Sequence, residues 1–331
     1  MLQDVLRAEN LCAPSGGATS VRRRHATGRI IAAACALTLP ALRVKATPGM
    51  RIVAVGGAIT ETLFALGATA DVVGVDTTSS YPAEVRKLPN VGYMRTLSAE
   101  GVFALSPTHL IVTEDAGPPA VLRQLIDAGV KIHTLSAGNR YEGVLERTAS
   151  IAGLIGHQAR AQALLAGLKR DWLASTEQVK ALRAMNERRL GGRTLSVMFV
   201  MSHSLSQVLV AGDDTAADSM LSYIGAVNPL KRQFKGLKAL SSESAMVAAP
   251  DVILVTQQGL QAAGGVAGVL RLPGLADTPA GRARRVVAMD APLLLGFGPR
   301  LPLAVRQLAE QCANALAHPV LGTMAGKVGA T

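Results

Sequence analysis

The chain has 331 residues, 49% of them apolar, 17% charged and 3% aromatic, with a formal net charge of +11. That is enough apolar chain for two domains of roughly 100–150 residues each. No basic helix stripe and no aromatic-basic platform accompanies the charge, so nucleic acid is not the implied partner; an anionic small ligand or an anionic surface is.

The first 46 residues differ from the rest. "VRRRHATGR" (21–29) is basic, "IIAAACALTLPAL" (30–42) is an apolar run of 13 residues, and "VKA" (44–46) offers a small-residue cleavage site. This order describes a secretory signal, with residues 1–20 as an over-long start. The run falls short of the roughly 20 residues that span a bilayer. Neither a twin-arginine signal nor a lipobox at Cys35 fits well. Cleavage after Ala46 would leave Cys312 as the lone cysteine, and hence no disulfide and no cysteine metal cluster. The segment holds seven Lys/Arg against two Asp/Glu, so it takes five of the eleven positive charges and leaves six.

From there the chain alternates. "RIVAVGG" (51–57) reads as a strand, "AITETLFALG" (58–67) as a helix ended by Gly67, and "DVVGVD" (71–76) as the next strand. Residues 97–115 give a helix, a proline-marked turn and the strand "HLIVT"; residues 118–135 repeat the cycle, with Gly129 closing the helix before "KIHTL". Strands alternating with helices predict a parallel α/β layer. Residues 141–189 carry no strand signal, and 157–189 predict a helix of about 25–30 residues, about 40 Å long. After "GG" (191–192) the alternation resumes. Strands are predicted at 194–200, 251–256 and 285–290, with helices near 215–225, 241–250 and 302–317. "LSAEGVFALSPTHLIV" (97–112) and "LSSESAMVAAPDVILV" (240–255) match in residue type position by position, so the second half echoes the first. The architecture predicted is two α/β lobes joined by one long helix. The boundaries read are a signal at 1–46, lobes at 51–156 and 192–318, a linking helix at 157–189 and a tail at 319–331.

"RIVAVGGAITETLFALG", "VGYMRTLSAEGVFALSP", "AGDDTAADSM" and "LLLGFGPRLP" resemble the periplasmic haem-binding proteins of bacterial ABC-type haem importers, within a wider class that also binds cobalamin and siderophores. The resemblance runs over roughly residues 50–318, and "GYMRTLSAEG" is its more specific part. It implies an α/β fold of two Rossmann-like lobes with central parallel sheets on a rigid helix, the ligand lying in the cleft between them. It implies no enzyme, but a periplasmic protein that captures haem and hands it to a permease dimer with its ATPase. An outer-membrane haem receptor would stand upstream. The alternative within the class is a cobalamin or ferric-siderophore binder. A nucleotide-dependent enzyme has little support: "GGAITETLFALG" is not G-x-G-x-x-G and no Walker lysine follows.

Ferric haem iron favours an anionic oxygen, and tyrosinate is an axial ligand it accepts. Free tyrosine ionises near pH 10, so a phenolate ligand gains from a neighbouring cation. Tyr93, between a glycine and Met-Arg, has no apolar run around it. By spacing alone a packed tyrosine is the commoner reading; the resemblance makes Tyr93 the iron ligand and Arg95, two residues on, its partner. His203 follows a strand, at the edge where parallel sheets collect ligands. The resemblance has it face the cleft, and the residues alone allow a histidine bonded to loop backbone. Lys235, Lys238 and Arg300 are candidates for the two haem propionates, or are solvated surface. The family often has tyrosine where Leu237 stands and an aromatic near Leu294, so the second-lobe contacts depart from its pattern. Glu100 and Glu243 occupy equivalent places in the two repeats: helix-capping residues by position, permease-docking residues by resemblance.

Overall fold

A computed structural model describes residues 49–204 and 207–317, the side chains of 202–207 excepted. The signal and tail expectations therefore lie outside the described residues, which belong to one compact unit. Strands β1 (Ile52–Val55), β2 (Val72–Val75), β3 (His109–Thr113) and β4 (Lys131–Leu135) form a parallel sheet in the order β2-β1-β3-β4. Helices α1 (Gly57–Ala65), α2 (Ala99–Phe103) and α3 (Pro119–Asp127) connect them, and α4 (Tyr141–Ile155) follows. All four residues of β1 are buried, because helices cover both sheet faces. Ile52, Ala54 and Ile111 pack on Ile59 and Leu63 of α1 and Ile151 of α4. Val53, Val55, Leu110 and Val112 turn the other way, onto Val102 and Leu125.

Helix α5 (Gln158–Arg189) has 32 residues, slightly longer than the sequence predicts, and spans about 48 Å. Near its start Ala161 joins the first lobe's core; further along, Leu168 and Val179 join the second's. The preceding helix ends at Gly156, whose φ of 74° is the left-handed cap that separates α4 from α5.

The second sheet has the order β7-β6-β5-β8-β9, from β5 (Val197–Ser204), β6 (Gln207–Ala211), β7 (Leu237–Ala239), β8 (Val252–Thr256) and β9 (Val286–Met289). Strands β5, β8 and β9 are parallel, whereas β6 pairs antiparallel with both β5 and β7. The central strands of this sheet are thus parallel, as expected of the lobe, and β6 adds an antiparallel pairing on one side. Six helices belong to this half: α6 (Ala216–Tyr223), α7 (Ser242–Ala248), α8 (Gln257–Ala262), α9 (Val266–Leu270), α10 (Pro279–Arg282) and α11 (Ala291–Leu295). A closing helix, α12 (Leu301–Ala317), lies along α5. Phe199 is 1% exposed and packs among Val197, Leu254, Met220 and Leu308. Phe199→Ala should therefore cost about 3–5 kcal/mol in urea unfolding, since the tightly packed site cannot collapse around the void. Cys312 is free and buried in the same core, and burial pushes its thiol up to about 12, so it is chemically inert.

Candidate functional site

In both lobes loops gather at the C-terminal ends of the parallel strands, where side chains can converge. In the first lobe the segment after β2 doubles back along that edge. Val91 donates its N–H to Val75 O at 2.9 Å, and Thr77 donates to Gly92 O at 2.9 Å. Gly92 holds φ at +98°, a conformation that favours glycine, while its N–H is taken by the Asn90 side chain at 2.8 Å. The chain then turns, Thr96 N–H bonding Tyr93 O at 2.8 Å, and buried Val91 and Leu97 pin either side of the turn. Two further backbone bonds of 2.9 Å, Gly117 N–H to Met94 O and Leu97 N–H to Gly117 O, tie it to the loop after β3.

This frame holds Tyr93 with its side chain outward, 40% exposed. The Arg95 guanidinium donates from Nη1 to the Tyr93 phenol oxygen at 2.5 Å and from Nη2 to Asp115 Oδ2 at 2.5 Å. Thr113 donates to the other carboxylate oxygen at 2.6 Å. Burial works against the Arg95 charge, but Tyr93 and Asp115 outweigh it and hold the guanidinium above its ordinary range. A solvent-facing phenol oxygen with a fixed cation on one side has a lone pair left for a Lewis acid. Asp115 and Thr113 escape the sequence reading. Their signal, a Thr-Glu-Asp run at the end of a strand, becomes specific only once the fold brings Asp115 to Arg95.

The second-lobe candidates are placed differently from one another. His203 belongs to β5 near its C-terminal end, and its side chain lies outside the described residues. Lys238 is exposed on β7, paired with Val210, its ammonium 5.1 Å from the Phe234 ring centre. Lys235 bridges Asp213, three residues past Val210, which pairs with Val200. That register sets Lys235 level with the start of β5, about 20 Å along the strand from His203, at the opposite sheet edge. Arg300 is not a free surface cation. Its N–H and Nε bond Glu61 at 3.0 and 2.9 Å, and its guanidinium carbon lies 3.6 Å from the Tyr81 ring centre. Leu237 is exposed and Leu294 fully buried.

Glu100 and Glu243 sit in the first turns of α2 and α7, both exposed. Their caps are other residues. Ser98 accepts from Gly101 N–H at 3.2 Å, and Ser241 with Ser244 forms the reciprocal box on α7. The side-chain caps are thus made by serines, and among the described residues neither glutamate takes part in an ion pair.

A concavity of about 500 Å³, lined by Thr108, His109, Gly129 and Lys131, opens at the N-terminal edge of the first sheet, away from Tyr93. There His109 stacks on His133 with ring centres 5.4 Å apart. Burial, His133 and Lys131 lower the His109 pKa, and burial with Lys131 lowers that of His133, so the folded state prefers both rings neutral. The unfolded chain takes up protons first, so this contribution is present above the unfolded value near 6.5 and is lost as pH falls below it. Melting temperature should drop between pH 7 and 5, with a shallower slope in His109→Asn/His133→Asn.

A family model described as periplasmic binding protein matches residues 52–293. Among solved structures, the chain is 43% identical to the periplasmic haem-binding protein BhuT in complex with two haems, with a TM-score of 0.75 over 81% of this chain and 99% of that one. It is 37% identical to the periplasmic haem-binding protein RhuT from Roseiflexus sp. RS-1 in apo form, with a TM-score of 0.75 over the same shares. Among curated proteins, it is 29% identical to an uncharacterized ABC transporter substrate-binding lipoprotein, YvrC, of Bacillus subtilis, over 78% of this chain and 79% of that one. A vitamin B12-binding protein of Yersinia pestis is 23% identical over 85% and 93%.

Proposed function

Since the chain belongs to the periplasmic binding protein family, we propose that it is the non-enzymatic binding component of a haem importer: it captures ferric haem outside the cytoplasm and delivers it to a permease dimer driven by an ATPase. The observation that carries the reading is the Tyr93–Arg95–Asp115 chain on the C-terminal edge of the first sheet. Tyr93 supplies the axial oxygen. Arg95 favours its anionic form, and Asp115 with Thr113 fixes the direction of Arg95. A porphyrin brings four nitrogen ligands of its own, so one or two protein donors complete the iron. His203, on the facing lobe, is the second donor in this reading, either to the same iron or to a second stacked haem. Lys238 is the propionate candidate this reading keeps; the Arg300 guanidinium is engaged by Glu61, and Lys235 lies about 20 Å from His203 along the direction of β5. Export depends on the signal read at 1–46, and an outer-membrane receptor stands upstream.

Titration of the purified protein with ferric haemin, followed by visible absorption, tests this directly. The expected result is saturable binding with the bands of high-spin ferric haem on tyrosinate. A protein that stays colourless with haemin yet retains cobalamin would return the chain to the vitamin B12-binding side of its class. Cobalamin brings its own axial ligands and has no use for Tyr93.

A further inference from the structure

Among the described residues, one ion pair ties the two lobes together. Glu61 lies one turn into α1, which packs on the first sheet; Arg300 immediately precedes α12, which packs on the second. Three contacts join them: Arg300 N–H to Oε1 at 3.0 Å, Nε to Oε2 at 2.9 Å, and Nη2 to Oε2 at 2.8 Å. The side chains are 9% and 21% exposed, so the pair is shielded from salt and water as surface pairs are not. Tyr81 closes the other face of the guanidinium. A side chain at Gly298 would press on the Glu61 carboxylate, which its Cβ would approach to 3.1 Å.

Two hydrogen-bonded ties without a carboxylate accompany this pair. Arg147 of α4, itself buried, donates to Ser136 O after β4 at 2.7 Å and to Phe297 O in the second lobe at 2.6 Å. Tyr141 N–H donates to the Tyr223 hydroxyl of α6 at 2.7 Å. The charged pair also connects to the site. The 76–81 loop that carries Tyr81 is bound to α1 through Gly57 N–H to Thr78 Oγ1 at 3.0 Å and Thr60 to Ser79 at 2.7 Å. The same loop is bound to the Tyr93 turn through Thr77 and Gly92.

We infer that Glu61 and Arg300, with Tyr81 beneath them, are a positioning clasp that fixes the spacing between the sheet edge carrying Tyr93 and the facing edge of β5. The inference rests on the haem reading and deepens it: one ligand can be held from both lobes only if that spacing is held. Glu61 touches no ligand in this account. It acts through Arg300, and a widened cleft keeps the Tyr93 bond while releasing the ligand faster.

Glu61→Gln is the test, because glutamine preserves an acceptor for the Arg300 N–H and removes only the charge. Trp172, the sole tryptophan, stacks on Tyr141 at 4.3 Å and meets Tyr223 edge-on at 4.9 Å, so its emission reports movement of the second lobe against α4 and α5. The expected result is a cooperatively folded variant with shifted Trp172 emission and the wild-type tyrosinate bands. Haemin release, measured by transfer to excess apomyoglobin, should be about tenfold faster. Unchanged or slower release together with unchanged emission would overturn the inference and leave the pair a stabilising contact only. If Glu61→Gln does not fold, Arg300→Lys, which keeps the charge and loses the planar fork, takes the same measurements. Wild-type protein that takes up no haemin would sink the haem reading alone; Trp172 emission and amide exchange over residues 297–301 would still decide whether the clasp sets the lobe spacing.

Discussion

Tyr93→Phe should lose the tyrosinate absorption and weaken haemin binding by more than 100-fold. The substitution removes one oxygen from a side chain that is already 40% exposed, so it leaves no cavity in the core. Only the Arg95 guanidinium loses a partner, and Asp115 still holds it at 2.5 Å. Unfolding temperature should accordingly stay within a few degrees of wild type while binding collapses, and that divergence separates a ligand from a packed tyrosine. Arg95→Ala and Asp115→Ala act one and two steps further from the iron. Removing such a supporting partner typically costs 10–100-fold in metal affinity, so both should fall between wild type and Tyr93→Phe. Arg95→Ala removes the cation itself and should be the weaker of the two; Asp115→Ala leaves the charge in place but frees it to swing. Equal haemin affinity in Tyr93→Phe and wild type would move the anchor to His203, whose variant would then be measured.

The lobes are legible in the sequence where burial is complete. "IVAV" at 52–55 and "VILVT" at 252–256 are buried along their whole lengths, and parallel strands covered on both faces read as unbroken apolar runs. The echo between 97–112 and 240–255 becomes a structural one: Ser98 and Ser241 cap α2 and α7, and β3 and β8 pair with β1 and β5 in the same parallel sense. What does not show is the part held by few buried residues. All three residues of β7 are exposed, so its strand character comes only from the ladder with β6. The short helices α8 and α9 run through a glycine-rich stretch with no clear period. Gly268 there is required by packing, since a Cβ would collide with Ala263 O. At the site the same division holds. Tyr93 and Arg95 are two residues apart and visible together. Asp115 lies 20 residues from Arg95, and Glu61 lies 239 from Arg300, so both contacts need the fold before they can be seen. Arg300 shows why this matters: a cation read as free for a propionate turns out to be engaged across the lobes.

Replacing Glu100 and Glu243 together by alanine should abolish haem-dependent uptake without changing haemin affinity. Both carboxylates stand on exposed first turns, their helices are capped by serines, and among the described residues no cation pairs with either. A helix N-terminus favours a carboxylate by about 0.3–1 kcal/mol, which is too little to explain a matched pair on two lobes. A charge held ready for a partner explains it better. Both helices run toward the strands that follow them, so their first turns lie on the ligand-bearing edge, one on each lobe, where a permease could meet both at once. On α7 the residues three and four beyond Glu243 are Met246 and Val247, 49% and 71% exposed, so the carboxylate is backed by apolar surface on the same helix face. Truncating one member of a desolvated charge pair at an interface costs about 2–5 kcal/mol, or at least 30-fold in affinity. Each single variant should therefore slow growth on haem as the iron source, and the double variant should stop it. Val247→Asp should also impair uptake if Glu243 docks, because it adds a second negative charge one turn along the same helix face, whereas Val247→Ala should have little effect. Haemin titrations of all five variants serve as the control. Any loss of binding there would mean that these carboxylates support the cleft itself, and docking would have to be assigned to another surface.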